Sequence, residues 1–280
     1  MRNSINTSLH VHLFYEDESL YLLDRISKVW KNKIYVSIVK DVSSNKAIIQ
    51  CLNDNFDEVD TTFVDNRGND QYGFFHSFKK NKDDTKYILY LHDKKDRDVG
   101  TDMSKLFLQD AQFLPHLIEN VMTASRSSLH LREYQRAENP VAEVGIIACE
   151  ATNEQMLSYK ELESSHACGF GGKDFKDMSD DEKGEYRLQV VRSLHTVTWF
   201  DELVCHLRHV RGLGYPLVYP PFAGGNMFLA TRDIIKTTHS AVWDSYFQEG
   251  YQPDGKVEHA MERLYYYVCK TVYNQDVVLV

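Results

Sequence analysis

The chain has 280 residues, of which 42% are hydrophobic and 26% are charged, a composition typical of a folded globular protein. Its 41 Asp and Glu residues outnumber its 32 Lys and Arg residues, so the formal net charge is −9. Because nucleic-acid binding requires a surplus of cations, this balance argues against a general nucleic-acid partner. The five cysteines are odd in number and form no C-x-x-C pair, which indicates a reducing compartment without a disulfide framework.

The sequence predicts neither a membrane anchor nor a secretion signal. No apolar run approaches the ~20 residues of a membrane-spanning helix, and residues 1–8 are polar where a signal peptide has an apolar core. We therefore expect a cytoplasmic protein. No linker is long enough to separate two domains, so a single domain over residues 1–280 is predicted.

Strands and helices alternate through the first 150 residues. Apolar or period-2 runs predict strands at 9–15, 34–39, 61–64, 87–91 and 144–149. Amphipathic spacing predicts helices at 17–30, from Ser43 or Ser44 to Leu52, and over 102–125. This alternation indicates an α/β fold with a mostly parallel, doubly wound sheet flanked by helices.

The rest of the chain has a different pattern. Residues 151–190 are polar and contain Gly169–Gly172 and then an acidic run, which we interpret as helices joined by a loop. A helix is predicted over 194–211, a short strand at 225–229 and a final helix over 257–273. We expect this helical C-terminal part to belong to the same domain.

Several common enzyme motifs are missing. No G-x-G-x-x-G follows the first strand and no G-x-S-x-G elbow is present. Residues 171–173 lack the first glycine and the Ser or Thr of a P-loop. These absences argue against a Rossmann dinucleotide enzyme, an α/β hydrolase and a P-loop enzyme.

The residues that follow each predicted strand are the first candidates for a ligand site, because open parallel sheets bind ligands at the carboxyl ends of their strands. Phe14 and Tyr15 follow the first strand and could stack on a base. The loop 66–70, after the third strand, combines the guanidinium of Arg67 with a glycine suited to positive φ. Asp70 is expected to cap the next helix, and a plain turn with a helix cap explains this loop equally well.

The segment 92–95 follows a strand that is predicted to be buried. Its two lysines, together with Arg67, would form an anion site suited to a diphosphate. A solvent-exposed run of charges is the alternative interpretation. The carboxylates of this run could instead hold a divalent metal ion; they are Asp93, Asp96 and Asp98.

Two further groups lie in the last third of the chain. The glycines of 223–227 would let the backbone approach a ligand or would form a tight turn. A helix that begins near Asp254 carries Glu258, His259 and Glu262. A carboxylate there could be a general base toward a sugar hydroxyl, although acids in a first turn also stabilise a helix through its dipole.

Taken in order, these pieces resemble the rhamnan synthesis protein F family. The motifs are N-R-G-x-D at 66–70, H-x-K-K at 92–95, the strand 144–147, Ala223-Gly-Gly-Asn-Met-Phe228, and H-A-x-E-R at 259–263. The resemblance extends from about residue 9 to 272. It implies a sugar transferase of polysaccharide synthesis with a GT-A-like fold. Residues 9–150 would then bind the nucleotide-sugar, and residues 151–280 would bind the acceptor and supply the base.

The resemblance also suggests a role for each candidate residue. The donor site would consist of Phe14, Tyr15, Asn66, Arg67, Asp70, His92, Lys94 and Lys95. The acceptor site would consist of Ala223, Gly224, Gly225, Asn226, Met227 and His259. Asp70 would contact the sugar or brace Arg67. The base would be Glu258, with Asp254 and Glu262 as alternatives.

Metal-dependent GT-A enzymes carry D-x-D after the fourth strand, and His92-Asp93-Lys94 stands there instead. The lysines would neutralise the leaving diphosphate without a metal, so manganese or magnesium is not required, and Asp93 would be the ligand if one binds. With one base and no nucleophile, the transfer would invert the anomeric carbon.

The partners expected are a nucleotide-sugar donor and a glycan acceptor. The family name favours a rhamnose donor linked to dTDP or UDP. The chain is also similar to small glycosyltransferases of large algal viruses, which favours UDP-xylose, a capsid glycan and the host cytoplasm. The alternatives are a non-catalytic nucleotide- or carbohydrate-binding protein, and a metal-dependent hydrolase that uses the carboxylates of 93–98.

Overall fold

The computed structural model describes residues 6–40, 45–66, 69–95, 97–109, 115, 144–148, 179, 200, 202–209, 211, 227–246 and 256–279. Within these residues one sheet of seven strands is covered by helices on both faces. None of the helices in this part of the chain is both long enough and apolar enough to cross a membrane.

The sheet is mixed and mostly parallel. Its strands are β1 (Thr7–Leu13), β2 (Ile34–Val39), β3 (Val59–Val64), β4 (Tyr87–His92), β5 (Val144–Ala148), β6 (Phe228–Thr231) and β7 (Asp276–Leu279). They lie in the order β3-β2-β1-β4-β6-β5-β7. Only β6 runs antiparallel to its neighbours β4 and β5; the other paired strands of the described sheet are parallel. The predicted α/β class is confirmed, and the topology is consistent with a GT-A-like fold.

Two hydrophobic clusters sandwich this sheet. The helices are α1 (Glu16–Val29), α2 (Asn45–Asn55), α3 (Asn69–Lys80), α4 (Arg97–Ser104), α5 (Arg232–Tyr246) and α6 (Lys256–Tyr267), and a π-helical turn, Val268–Val272, continues α6. Side chains of α1, α2 and α4 pack in one cluster. Side chains of α3, α5, α6 and the helical segment 202–209 pack in the other, on the opposite face.

Strand β1 is buried on both faces, although every second residue is polar. Its leucines and valine face α1 and α2, so the polar side chains face α3. There Nδ1 of His10 lies 3.0 Å from Oγ of Ser77, and Nδ1 of His12 lies 2.9 Å from Oγ of Ser37. Asn81 donates to Oγ of Ser8 at 3.0 Å. The polar alternation therefore marks a hydrogen-bonded interface with α3 rather than a solvent-facing side.

Some predicted boundaries are wrong. The helix expected over 102–125 is instead Arg97–Ser104, and residues 105–109 are not helical. Residues beyond 109 lie largely outside the described part of the chain. The strand expected at 225–229 is Phe228–Thr231. The helix expected over 257–273 ends as an α-helix at Tyr267. Helix α5 and strand β7 were not predicted, since α5 follows β6 without a connecting loop and β7 is only four residues long.

Gly73 lets α3 approach the sheet closely. A Cβ atom at this position would overlap Nδ1 of His12, at less than the van der Waals contact distance, and would lie 2.6 Å from Oγ of Ser37. We expect Gly73→Ala to lower the free energy of unfolding by about 1–3 kcal/mol through overpacking, despite a gain in helix propensity of about 1 kcal/mol. Urea denaturation measures this change.

Gly100→Ala in α4 is the matched control. Its Cβ would lie 3.2 Å from Cβ, 3.6 Å from Cγ and 3.7 Å from the backbone nitrogen of Lys94, so the crowding is much weaker than at Gly73. The free energy of unfolding should change little, and an equal loss in both variants would contradict the role of the α3 contact.

The buried histidines make stability depend on pH. Burial lowers the pKa of His239 to about 3, from 6.5, and also lowers the pKa of His10 and His12. Below pH 6.5 the unfolded chain therefore binds protons that the folded chain does not. We expect His239 alone to reduce the free energy of unfolding by about 1.4 kcal/mol between pH 7.5 and pH 5.5.

Denaturation of the wild type and His239→Gln at both pH values measures this contribution. The variant should lose stability less steeply on acidification, because one titrating group is gone. Equal pH slopes would show that His239 does not enter the folded state neutral.

Candidate functional site

The order of the strands places a crevice between β1 and β4. The chain steps outward from β1 to β2 and β3, and β4 returns to the other side of β1. In open α/β sheets, ligands bind outside the carboxyl ends of the strands at such a reversal. Phe14 and Tyr15 follow β1, and Asp93 to Lys95 follow β4. The structure therefore brings two of the predicted candidate segments to this crevice.

Asp93 connects the two sides of the crevice. Its Oδ2 atom accepts hydrogen bonds from the backbone N–H groups of Phe14 and Tyr15, at 2.8 and 2.7 Å, and from the hydroxyl of Ser19 at 2.6 Å. Tyr15 precedes α1 and offers no side-chain cap of its own. Asp93 therefore supplies the side-chain acceptor for the turn that leads into α1, in addition to the acids of the helix's own first turn, Glu16, Asp17 and Glu18. The sequence did not reveal this role, because a cap from another strand leaves no local pattern.

The same carboxylate fixes the position of the two aromatic rings. Phe14 is half-buried and Tyr15 is exposed, and their rings are perpendicular with centroids 4.8 Å apart. Burial raises the pKa of Asp93, while the three hydrogen bonds and His12 act in the opposite direction. An aromatic pair held in this way beside the crevice could stack on a flat ligand group.

The described carboxylates do not form a metal site. Among the residues that the structure describes, no three His, Cys, Asp or Glu side chains are close enough together to hold a metal ion. Oδ2 of Asp93 already accepts three hydrogen bonds. Within the described residues, Oδ1 is therefore the carboxylate oxygen of Asp93 that stays available to a ligand. Asp96 lies outside the described residues, and Asp98 is exposed on α4. The metal ligation considered for Asp93 stays a prediction.

A second polar group joins the end of β4 to the start of α3. The hydroxyl of Tyr90 donates to the backbone oxygen of Asp70 at 3.0 Å and to its Oδ2 at 3.2 Å. Nε2 of His92 lies 3.7 Å from Oδ2 of Asp70, and its Nδ1 lies 2.9 Å from the backbone oxygen of Asp93. Helix α3 begins at Asn69, so Asp70 lies in its first turn and is not the cap that was predicted. Its carboxylate instead faces the two β4 side chains.

Helix α6 reaches the same region through Tyr265. Its hydroxyl donates to Oε1 of Gln71 at 3.0 Å and lies 2.7 Å from Nε2 of His239. Burial raises the pKa of Tyr265, and the negative charges of Asp70 and Glu262 add to this effect. Glu262 is itself buried, 6% exposed. The H-A-x-E-R helix and the Asp70 loop, far apart in the sequence, therefore meet around Tyr265.

The remaining candidates have different positions. Asn66 and Lys95 are exposed and Lys94 is half-buried. Met227, expected to line the acceptor site, is 3% exposed and packs in the hydrophobic cluster of α1 and α4. Glu258 and His259 lie on the first turns of α6. The candidates outside the described residues are Arg67, Asp254, Ala223, Gly224, Gly225 and Asn226.

A second crevice, separate from the one at the ends of β1 and β4, lies between α1 and α4 beside Asp93, and we call it the α1–α4 crevice. It contains about 230 Å³ of empty space, part of it open to solvent. Its lining includes Arg25 and Arg97, which the sequence analysis did not single out. The spacing of residues 18, 21, 22 and 25 on one face of α1 is the signal that could have indicated it.

Comparison with known proteins identifies a family. No curated protein and no solved structure matches the chain. The rhamnan synthesis protein F family matches residues 1–167, which include β1 to β5 and the loops that flank the crevice. The match implies glycosyltransferase activity in general and a role in polysaccharide synthesis. Since more than half of the 280 residues are matched, the chain belongs to the rhamnan synthesis protein F family.

Proposed function

We propose that the protein transfers one sugar from a nucleotide-sugar donor to a glycan acceptor with inversion at the anomeric carbon. Family membership supports a glycosyltransferase. The observation that carries the proposal further is the contact of Asp93 with the turn after β1. It joins two candidate ligand-binding segments at the reversal of strand order.

The donor would lie across the carboxyl ends of β1, β3 and β4. Phe14 and Tyr15 would stack on the base. Lys94 and Lys95, with Arg67, would stabilise the negative charge that develops on the leaving diphosphate. Asp70 and His92, which lie close together, would contact the sugar.

The acceptor would be activated by a carboxylate of α6. In the proposed step the base, Glu258, takes the proton of the acceptor hydroxyl, and the oxygen attacks the anomeric carbon. The bond from that carbon to the diphosphate breaks, and the diphosphate leaves as an anion. Glu262 is buried beside Tyr265, so we assign it a positioning role through Tyr265 rather than contact with the acceptor.

The donor sugar is proposed to be a deoxyhexose, in keeping with the family's name. dTDP-rhamnose and UDP-rhamnose are the first donors to test, and UDP-xylose is the pentose alternative. We place the reaction in the cytoplasm, and in the host cytoplasm if the chain is viral.

The test is a transfer assay with each of these donors, with manganese and with EDTA, combined with thermal melting. A bound donor at a hundred times its Kd should stabilise the fold by about 2.7 kcal/mol. Transfer of sugar that persists in EDTA is the expected result. Binding without turnover would favour a binding protein, and acceptor-independent phosphate release that EDTA abolishes would favour a hydrolase.

The variants Glu258→Gln and Glu262→Gln test which of the two carboxylates is the general base. Removing a general base should lower kcat by about 10²–10⁴-fold, with little change in the melting temperature, so we expect this of Glu258→Gln. Glu262→Gln should lower stability more than Glu258→Gln does, because its side chain is buried. Steady-state kinetics and thermal melts of both variants give the comparison, and the reverse pattern would transfer the role of base to Glu262.

Asp93→Asn tests the link between β4 and α1. An amide oxygen accepts these hydrogen bonds without the negative charge, so we expect a loss of about 1–2 kcal/mol in the free energy of unfolding. Because Asp93 holds the turn that carries Phe14 and Tyr15, the Kd for the donor should also rise.

Urea denaturation and calorimetric titration with UDP and dTDP measure the two effects. Asp57→Asn, at an exposed position between α2 and β3, is the control and should change neither. An unchanged nucleotide Kd in Asp93→Asn would show that the aromatic turn does not bind the donor.

A further inference from the structure

The crevice between α1 and α4 has three walls. Its lining residues are Glu18, Tyr21, Leu22 and Arg25 of α1, His92, Asp93 and Lys94 at the end of β4, and Arg97, Gly100 and Thr101 of α4. Cationic side chains come from each wall. The question is therefore whether protein carboxylates neutralise all of them.

One cation is neutralised within the crevice. Arg97 donates to both carboxylate oxygens of Glu18, with nitrogen–oxygen distances of 2.8 and 3.1 Å. This bidentate pair occupies Glu18. The second carboxylate, that of Asp93, is turned toward the start of α1, where its Oδ2 accepts three hydrogen bonds. Neither carboxylate is paired with Arg25 or Lys94.

The two other cations keep hydrogen-bond donors available. Arg25 is half-buried and donates from Nη1 to the hydroxyl of Ser104 at 2.8 Å. A guanidinium has five N–H donors, and the others of Arg25 make no bond with a described residue. Lys94 is half-buried as well, and within the described residues its ammonium group has neither an ion-pair partner nor an acceptor. A bound anion would offset the cost of partly desolvating both cations.

The dimensions of the crevice limit the anion. Sites that enclose a whole small molecule measure roughly 300–1,000 Å³, whereas this crevice is shallow and much of its space is open to solvent. It therefore accommodates one anionic group of a larger ligand. A tetrahedral phosphate accepts hydrogen bonds from several directions, as donors on three separate walls would supply.

We propose that the α1–α4 crevice binds one phosphate group through Arg25, Lys94 and the hydroxyl of Thr101. The proposal extends the donor site to α1 and α4, and only the source of the phosphate rests on the proposed function. The group would belong either to the diphosphate of the donor or to a phosphorylated acceptor.

Inorganic pyrophosphate is the probe, with binding measured by isothermal titration calorimetry. The wild type should bind it, and Arg25→Gln and Lys94→Gln should each raise its Kd by about tenfold or more, because each removes a charged hydrogen bond. Lys28→Gln is the matched control: Lys28 lies on α1, is 66% exposed and pairs with Asp24 outside the crevice. Thermal melts establish that each variant is folded.

Two results would overturn the proposal: no pyrophosphate binding to the wild type at millimolar concentration, or an equal Kd in the wild type and both crevice variants. UDP, dTDP and an alkyl phosphate then identify the source. Parallel losses for the nucleotides assign the crevice to the donor, and a loss confined to the alkyl phosphate assigns it to the acceptor. Pyrophosphate binding that depends on Arg25 and Lys94, without sugar transfer from any donor, would reject the proposed function while retaining the phosphate site.

Discussion

The arrangement of the crevice at the carboxyl ends of β1 and β4 depends on the carboxylate of Asp93. One oxygen atom holds two consecutive backbone N–H groups and a serine hydroxyl at the start of α1. A neutral acceptor could satisfy the same donors, but a buried negative charge is also stabilised by the N-terminal end of the helix dipole. The interaction therefore fixes the loop after β1, the direction of α1 and the end of β4 relative to one another. The aromatic pair and one wall of the α1–α4 crevice are positioned as a result.

A second constraint lies beneath α3. Histidines and serines of β1 and β2 form hydrogen bonds with one another and with the helix, and a glycine lets the helix approach them. Such buried networks are stable only when most members have partners. Since α3 also carries Asp70, this packing sets the distance between Asp70 and the side chains of Tyr90 and His92. Stability of the sheet and geometry of the site thus share the same contacts.

The sheet and the position of the crevice could be predicted from the sequence, because buried runs such as 34–39 and 87–92 are local signals. The junction residues after β1 and β4 could be selected for the same reason. The function of Asp93 could not, since its partners lie 78 and 79 positions away. The meeting of Asp70 with Tyr265 and Glu262 depends on how α3 and α6 pack, which periodicity does not encode. Strand β7 was missed because four residues are too few to establish a period.

The position of β5 has a consequence for how the chain is made. This strand, Val144–Ala148, is made well before β6 and β7, yet it lies between them in the sheet. During synthesis both edges of β5 therefore stay unpaired until residues 228–231 and then 276–279 have been added. Parallel pairing of strands distant in sequence is slow, and unpaired edges associate with other chains. From the synthesis of residue 148 until β6 and then β7 have been made, the nascent protein thus has an unpaired hydrophobic strand. Shielding of that strand by a chaperone would favour correct closure of the sheet.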